Sequence, residues 1–256
     1  MKLHFRETGT GKPLIILHGL FGFLDNWQTL AKYFAQHYHV YLVDLRNHGR
    51  SPHSPDFNYP LMAADLLEFI NEHHISEPVI MGHSMGGKVA MHFALHHPEK
   101  LSKLIVVDMA PKSYPPHHQD ILAGLKAVDL KAVTTRGEID EALARHIPEE
   151  GVRQFLAKNL YRQEDNTFAW RMNLPVIEEK ITEVGKETTS QLPFLKPALF
   201  IRGANSRYIK PEKDMDLIQK LFPAATLETI ADAGHWVHAE KPQELFNQVV
   251  NFIEKA

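Results

Sequence analysis

Cysteine is absent from the 256-residue chain, which excludes disulfides, thiolate zinc sites and a cysteine nucleophile. Any covalent chemistry must run through an oxygen or a nitrogen. No apolar run approaches the roughly 18 residues that a membrane helix needs. The opening Met1-Lys2-Leu3-His4-Phe5-Arg6 lacks the apolar stretch of a signal peptide, so a cytoplasmic protein is expected. A basic block is missing too: 28 Lys and Arg stand against 31 Asp and Glu, for a net charge of −3. Nucleic-acid binding needs clustered cations and is not expected. Repeats and low-complexity tracts are also lacking. What remains is an ordinary globular composition, 44% apolar, long enough for one large domain or one domain carrying a smaller insertion.

Short apolar runs alternate with segments of helical period. Leu14–Leu17, Val40–Val43, Pro78–Met81, Leu104–Val107, Ala198–Ile201 and Thr226–Ile230 are almost continuously apolar, which suits parallel strands covered on both faces. Between them, Trp27, Leu30, Ala31 and Phe34, then Met62, Leu66, Phe69 and Ile70, then Leu245, Val249, Phe252 and Ile253 form amphipathic stripes. This succession predicts an α/β fold with a mostly parallel sheet and helices on both faces. The alternation stops at about Pro111 and resumes at about Leu195. Helical patterns at Ile121–Leu130, Glu138–Ile147, Gly151–Leu160 and Leu174–Val184 occupy that stretch, with no convincing strand. It is too long for a simple crossover. We read residues 111–195 as a helical cap, inserted after the strand ending at Asp108, and residues 1–110 with 196–256 as the core.

The sharpest signal is Gly82-His83-Ser84-Met85-Gly86, which fits G-x-S-x-G between a buried run, Val79-Ile80-Met81, and a helical one. A strand turning abruptly into a helix leaves no room for side chains beside the corner and exposes the corner hydroxyl. Ser84 is thus the candidate nucleophile. A hydroxyl needs a base, and there are 17 histidines. His235, in Ala233-Gly234-His235-Trp236 after the last strand, lies at the same sheet edge as Ser84. His238 is its nearest competitor, expected instead to bind a backbone carbonyl; most other histidines read as solvated surface. His92 and His96 have metal-ligand spacing, but no H-E-x-x-H pattern occurs and no metal is expected. For the acid that orients the base, the loop after Ala198–Ile201 offers only Asn205 and Ser206. Asp108 ends an apolar strand at the right edge, where a buried carboxylate needs a donor. It is the candidate acid, with Asp214 and Asp232 as weaker alternatives and Asn205 able only to accept. An oxyanion would be held by the backbone N–H of Met85 and by that of Leu20, or of Phe21, in the loop His18-Gly19-Leu20-Phe21-Gly22; His18 would brace that loop. Phe21, Trp236 and Tyr208 are candidate pocket residues.

These motifs, together with Asp44-Leu45-Arg46-Asn47-His48-Gly49-Arg50-Ser51, resemble the α/β-hydrolase superfamily along the whole chain. Val107-Asp108-Met109-Ala110-Pro111, Arg202-Gly203-Ala204-Asn205-Ser206 and Gly234-His235-Trp236-Val237-His238 are similar to the small bacterial carboxylesterases of the YbfF type and their abhydrolase-domain relatives. The resemblance implies an acid after the strand that follows the nucleophile, hence Asp108, and a structural role for Asp44 and Arg46. The expected activity is hydrolysis of a small-molecule carboxylic ester, or an acyl thioester, through an acyl-enzyme and without cofactor. A C–C lyase or synthase, a cofactor-free perhydrolase and a ligand-binding receptor of the same fold stay open at this point.

Overall fold

The computed structural model describes residues 1–255. From the start, β1 (Phe5–Thr8) and β2 (Lys12–Leu17) lead to α1 (Gln28–Phe34), β3 (Tyr38–Val43), α2 (Tyr59–Glu72), β4 (Val79–His83), α3 (Met85–His96) and β5 (Lys103–Val107). The chain then passes through α4 (Gln119–Ala127), α5 (Arg136–Ala144), α6 (Glu150–Ala157), β6 (Leu160–Arg162), β7 (Phe168–Trp170), α7 (Leu174–Glu179) and α8 (Ile181–Val184). It ends with β8 (Ala198–Gly203), α9 (Pro211–Leu221), β9 (Ala225–Ile230), α10 (Val237–Glu240) and α11 (Pro242–Glu254). None of the described helices is long and apolar enough to cross a membrane.

Seven strands form one sheet in the order β1-β3-β2-β4-β5-β8-β9, parallel except for the edge strand β1. The continuous apolar runs are its centre: every residue of β4 is buried, as are Leu14–Leu17 of β2. One face carries α2 and α3, whose Leu66, Phe69, Val89 and Phe93 join one apolar cluster. The other carries α1 and α11, whose Leu30, Phe34, Leu245 and Val249 join a second. The chain leaves β2 toward β3 and leaves β4 toward β5, in opposite directions. The carboxyl ends of β2 and β4 therefore flank the crevice where sheets of this type bind ligands.

Three expectations need correction. The edge strand β1 was unforeseen because Phe5-Arg6-Glu7-Thr8 is short and mostly exposed. The 111–195 stretch does contain strands, the hairpin β6–β7. With three residues each, they are below the length at which a period can be read; the link is a turn at Asn166, φ 67°. The pattern Leu174–Val184 is two helices, broken at Lys180.

After β3, a buried loop is held by paired charges. Asp44 accepts from the Leu24 and Arg50 N–H groups at 2.7 and 2.9 Å. The Arg46 guanidinium grips Asp65 of α2 through two bonds of 2.6 and 2.9 Å, with both side chains nearly inaccessible. Asp65 also meets the Met1 ammonium at 2.9 Å, so removing Arg46 leaves its charge partly paired. Arg46→Met should therefore lower the unfolding free energy by about 1–3 kcal/mol, read as a shifted urea midpoint. An unchanged midpoint would refute the loop's dependence on this pair.

Candidate active site

Ser84 is the corner between β4 and α3, with φ 52° and ψ −118°, a sparsely populated conformation that costs on the order of 1–3 kcal/mol. The flanking glycines make it possible. A Cβ on Gly82 would lie 2.1 Å from the Gly86 carbonyl oxygen, and one on Gly86 would lie 2.5 Å from those of Leu17 and His18. The corner packs against the end of β2 with no space for a methyl group, and the hydroxyl points into the crevice.

His235, in the loop after β9, stands beside that hydroxyl, its Nε2 3.0 Å from Ser84 Oγ. Its Nδ1 is 2.7 Å from Asp108 Oδ2. A carboxylate can only accept, so Nδ1 carries the proton and Nε2 is free to accept from Ser84. Asp108 follows β5 and is wholly buried. Two further donors meet its charge: the Gly203 N–H reaches Oδ1 at 3.2 Å, and the Ser206 hydroxyl donates to Oδ2. The weaker candidate acids are engaged elsewhere or exposed. Asp214 pairs with Lys112 at 2.6 Å and accepts the Lys210 N–H at 2.7 Å, while Asp232 sits in an exposed turn. Asn205 is exposed and its neighbour Ser206 makes the contact instead. Nothing in residue order distinguishes those two; only the bend of the loop decides which one turns inward.

The histidines around the site are less solvated than their number suggested. His83 is buried and its Nε2 donates to the His235 carbonyl oxygen at 2.8 Å, tying the loop of His235 to the corner at Ser84. His238 binds no carbonyl: it stacks on Trp27 at 4.5 Å and its buried Nδ1 lacks a partner among the described residues. Burial, and then neighbouring imidazoles, lower His238 to about 3 and His118 to about 4. The same causes hold His83 well below its ordinary value. His96 bonds its ring to the His92 carbonyl at 2.8 Å, and the two rings stack at 4.0 Å.

The loop after β2 is held by two more neutral rings. His18 donates from Nδ1 to the Gly19 carbonyl at 2.8 Å and accepts the Leu45 N–H on Nε2 at 3.0 Å. His48 donates from Nδ1 to the Arg46 carbonyl at 3.0 Å and accepts the Phe21 N–H at 3.2 Å. Each ring uses one donor and one acceptor, the pattern of an uncharged imidazole. Burial accordingly lowers His18 to about 4 and His48 to about 3. The Phe21 N–H is thus occupied, whereas those of Leu20 and Met85 make no hydrogen bond within the described residues.

A cavity of about 200 Å³ opens on Ser84 and His235. Phe21, Trp236 and Tyr208 all line it, with Tyr208 stacked on the His235 ring at 3.9 Å and 16°. The 111–195 stretch supplies the opposite wall through His118, Ile121 and Phe155. A second, much smaller cavity of about 20 Å³ touches Ser84 beside Tyr114, Pro115 and Gly185. Missed from sequence were Ser206, His83 and the His117 ring, whose Nε2 meets the Tyr208 hydroxyl at 2.6 Å. These contacts depend on loop curvature and have no local signature.

Comparison with known proteins agrees with this architecture. Residues 12–242 match the family model for the α/β-hydrolase fold. Esterase YbfF of Escherichia coli is 38% identical, over 99% of both chains. The sn-1-specific diacylglycerol lipase of Xenopus tropicalis is 40% identical, over 97% of this chain and 80% of its own length. A solved esterase from a marine microorganism is 44% identical, over 98% of this chain and 99% of its own, and superposes with a TM-score of 0.95. By matched length, identity and shared fold, the chain belongs to the α/β-hydrolase family.

Proposed function

We infer that this chain is a carboxylesterase-type serine hydrolase working through an acyl-enzyme on Ser84. The observation that carries the reading is the unbroken hydrogen-bond chain from Ser84 Oγ through His235 to the buried Asp108. Ser84 Oγ attacks the ester carbonyl carbon as its proton passes to His235 Nε2. The carbonyl π pair moves onto oxygen, where the Leu20 and Met85 N–H groups hold it. Phe21 cannot share that task while its own N–H binds His48. Collapse of the tetrahedral species breaks the bond to the alcohol oxygen, which takes the proton from His235. Water, deprotonated by the same imidazole, then releases the acid and restores Ser84. Asp108 keeps His235 in the required tautomer and orientation.

Residues 111–195 act as the cap of this site and 1–110 with 196–256 as its core, a division supported by the cavity wall that the inserted stretch supplies. No Lys, Arg, Asp or Glu lines the main cavity. A space this small with uncharged walls suits a short, uncharged acyl portion. An ester fits these walls better than a thioester on a phosphate-bearing carrier, since phosphates are held by Arg and Lys.

Ser84→Ala should reduce turnover of p-nitrophenyl butyrate on the order of 10⁶-fold with the circular dichroism of the wild type. A slow ester should leave an acyl mass on Ser84 in the parent protein only. Unchanged turnover, or turnover without the covalent adduct, would overturn the reading. Asp108→Asn should lower kcat on the order of 10⁴-fold, and Asp214→Asn far less; the reverse order would assign the acid wrongly. The neutral rings of the oxyanion loop give a stability signature. Between about 6.5 and about 4 for His18, or about 3 for His48, the unfolded chain binds protons that the fold refuses. Stability therefore falls as pH drops through that window. His48→Gln keeps an acceptor without titrating, so its unfolding free energy should fall less steeply, by up to about 1.4 kcal/mol per pH unit. Urea unfolding across the window measures this; parallel slopes would refute it.

A further inference from the structure

Lys88 lies one helical turn beyond Ser84 in α3 and is completely buried, which lysine rarely is. It forms no salt bridge among the described residues. Its Nζ instead donates to the carbonyl oxygens of Lys112, at 2.5 Å, and Lys186, at 2.9 Å, and lies 5.3 Å from the centre of the Tyr114 ring. Those two carbonyls belong to opposite ends of the 111–195 stretch. The ends also bond each other directly, Thr188 N–H to Pro111 O and Tyr114 N–H to Gly185 O, each at 2.7 Å. The two segments that lead into and out of the stretch thus run side by side, with Lys88 reaching up from the core to hold both.

Holding a charge there works against the fold. Burial lowers Lys88 from 10.5 to about 7; Glu187 favours its charge, and Lys112, itself paired with Asp214, opposes it. From about 7 up to the ordinary lysine value the unfolded chain keeps a proton that the fold gives up, so stability declines as pH falls through that range. An apolar side chain of similar length would avoid this, as replacements of other buried charges do. The carbonyl contacts explain what an apolar chain could not supply. A neutral amine keeps two N–H donors, so both bonds persist in either protonation state. From the clasped ends, the Tyr114 hydroxyl donates to the Tyr208 carbonyl at 2.7 Å, and Tyr208 stacks on His235. Tyr114 and Gly185 also wall the small cavity beside Ser84.

We propose that Lys88 is a positioning residue that sets substrate size: by clasping both ends of the inserted stretch, it keeps the second cavity beside Ser84 too narrow for a long or bulky substrate group. The proposal rests on Ser84 being the nucleophile.

The test is Lys88→Met, read as two ratios of kcat/KM on one preparation: p-nitrophenyl octanoate over butyrate, and 1-naphthyl butyrate over p-nitrophenyl butyrate. Ratios do not depend on the fraction of folded protein. At least one should rise more than twofold, whatever the urea midpoint. Neither ratio rising more than twofold would overturn the proposal and mark Lys88 as purely structural. Should Lys88→Met not be recoverable, Gly185→Ala decides by the same criterion, because its Cβ would lie 2.3 Å from the Tyr114 carbonyl and wedge the two segments apart. Failure of the Ser84 reading would be visible separately, as wild-type protein that forms no acyl-enzyme.

Discussion

The charge of Asp108 is the constraint around which the site is organised. A carboxylate with no access to water must find its solvation in the protein, and here three donors provide it: Gly203 N–H at the end of β8, Ser206 Oγ in the loop that follows, and His235 Nδ1 in the loop after β9. These loops are far apart in the chain but follow neighbouring parallel strands. One buried charge thereby gathers them, and the imidazole it needs as a donor is the one that faces Ser84. Local strain assists: Asp108 itself adopts φ 51°, which turns its side chain out of the strand direction at the end of β5.

Around this charge five imidazoles are kept neutral. His18, His48, His83, His118 and His238 all lie below the ordinary histidine value because burial disfavours their charged forms. Neutral imidazoles are bifunctional, and four contacts of the two loop rings use that property to fix backbone that would otherwise need water. Apart from Asp108, the site is therefore a set of oriented dipoles rather than a set of charges. That suits a reaction in which negative charge appears on a carbonyl oxygen, since fixed dipoles need no rearrangement when it forms.

How much of this was legible in the residues follows from where the physics is local. The central parallel strands were readable because full burial demands unbroken apolar runs, and the Ser84 corner because a Cβ on Gly82 would lie 2.1 Å from the carbonyl oxygen of Gly86, four residues on. Asp108 was readable as an isolated acid after four apolar residues. The edge strand β1 and the hairpin β6–β7 were not, since neither is long enough to carry a period. Ser206 was visible only as a neighbour of Asn205, and the bond that His48 makes to the Phe21 N–H joins residues distant in sequence. Interactions fixed by loop curvature leave no pattern in the residues that make them.

The same distinction separates what stabilises the molecule from what shapes its site. The apolar clusters on both faces of the sheet are regular, and the residues that build them could be exchanged for others of similar volume. The polar side chains in the interior behave differently, because each is tied to particular backbone atoms. Arg46 with Asp65 holds the loop after β3, His18 and His48 hold the loop after β2, and Lys88 holds the two ends of the 111–195 stretch. Each stands where a connection must take one path out of many. Apolar packing is indifferent to direction and cannot choose among those paths; hydrogen bonds from buried groups can, because leaving any of them unmade is expensive. Lys88 carries this furthest, since its charge opposes folding while its bonds select a geometry.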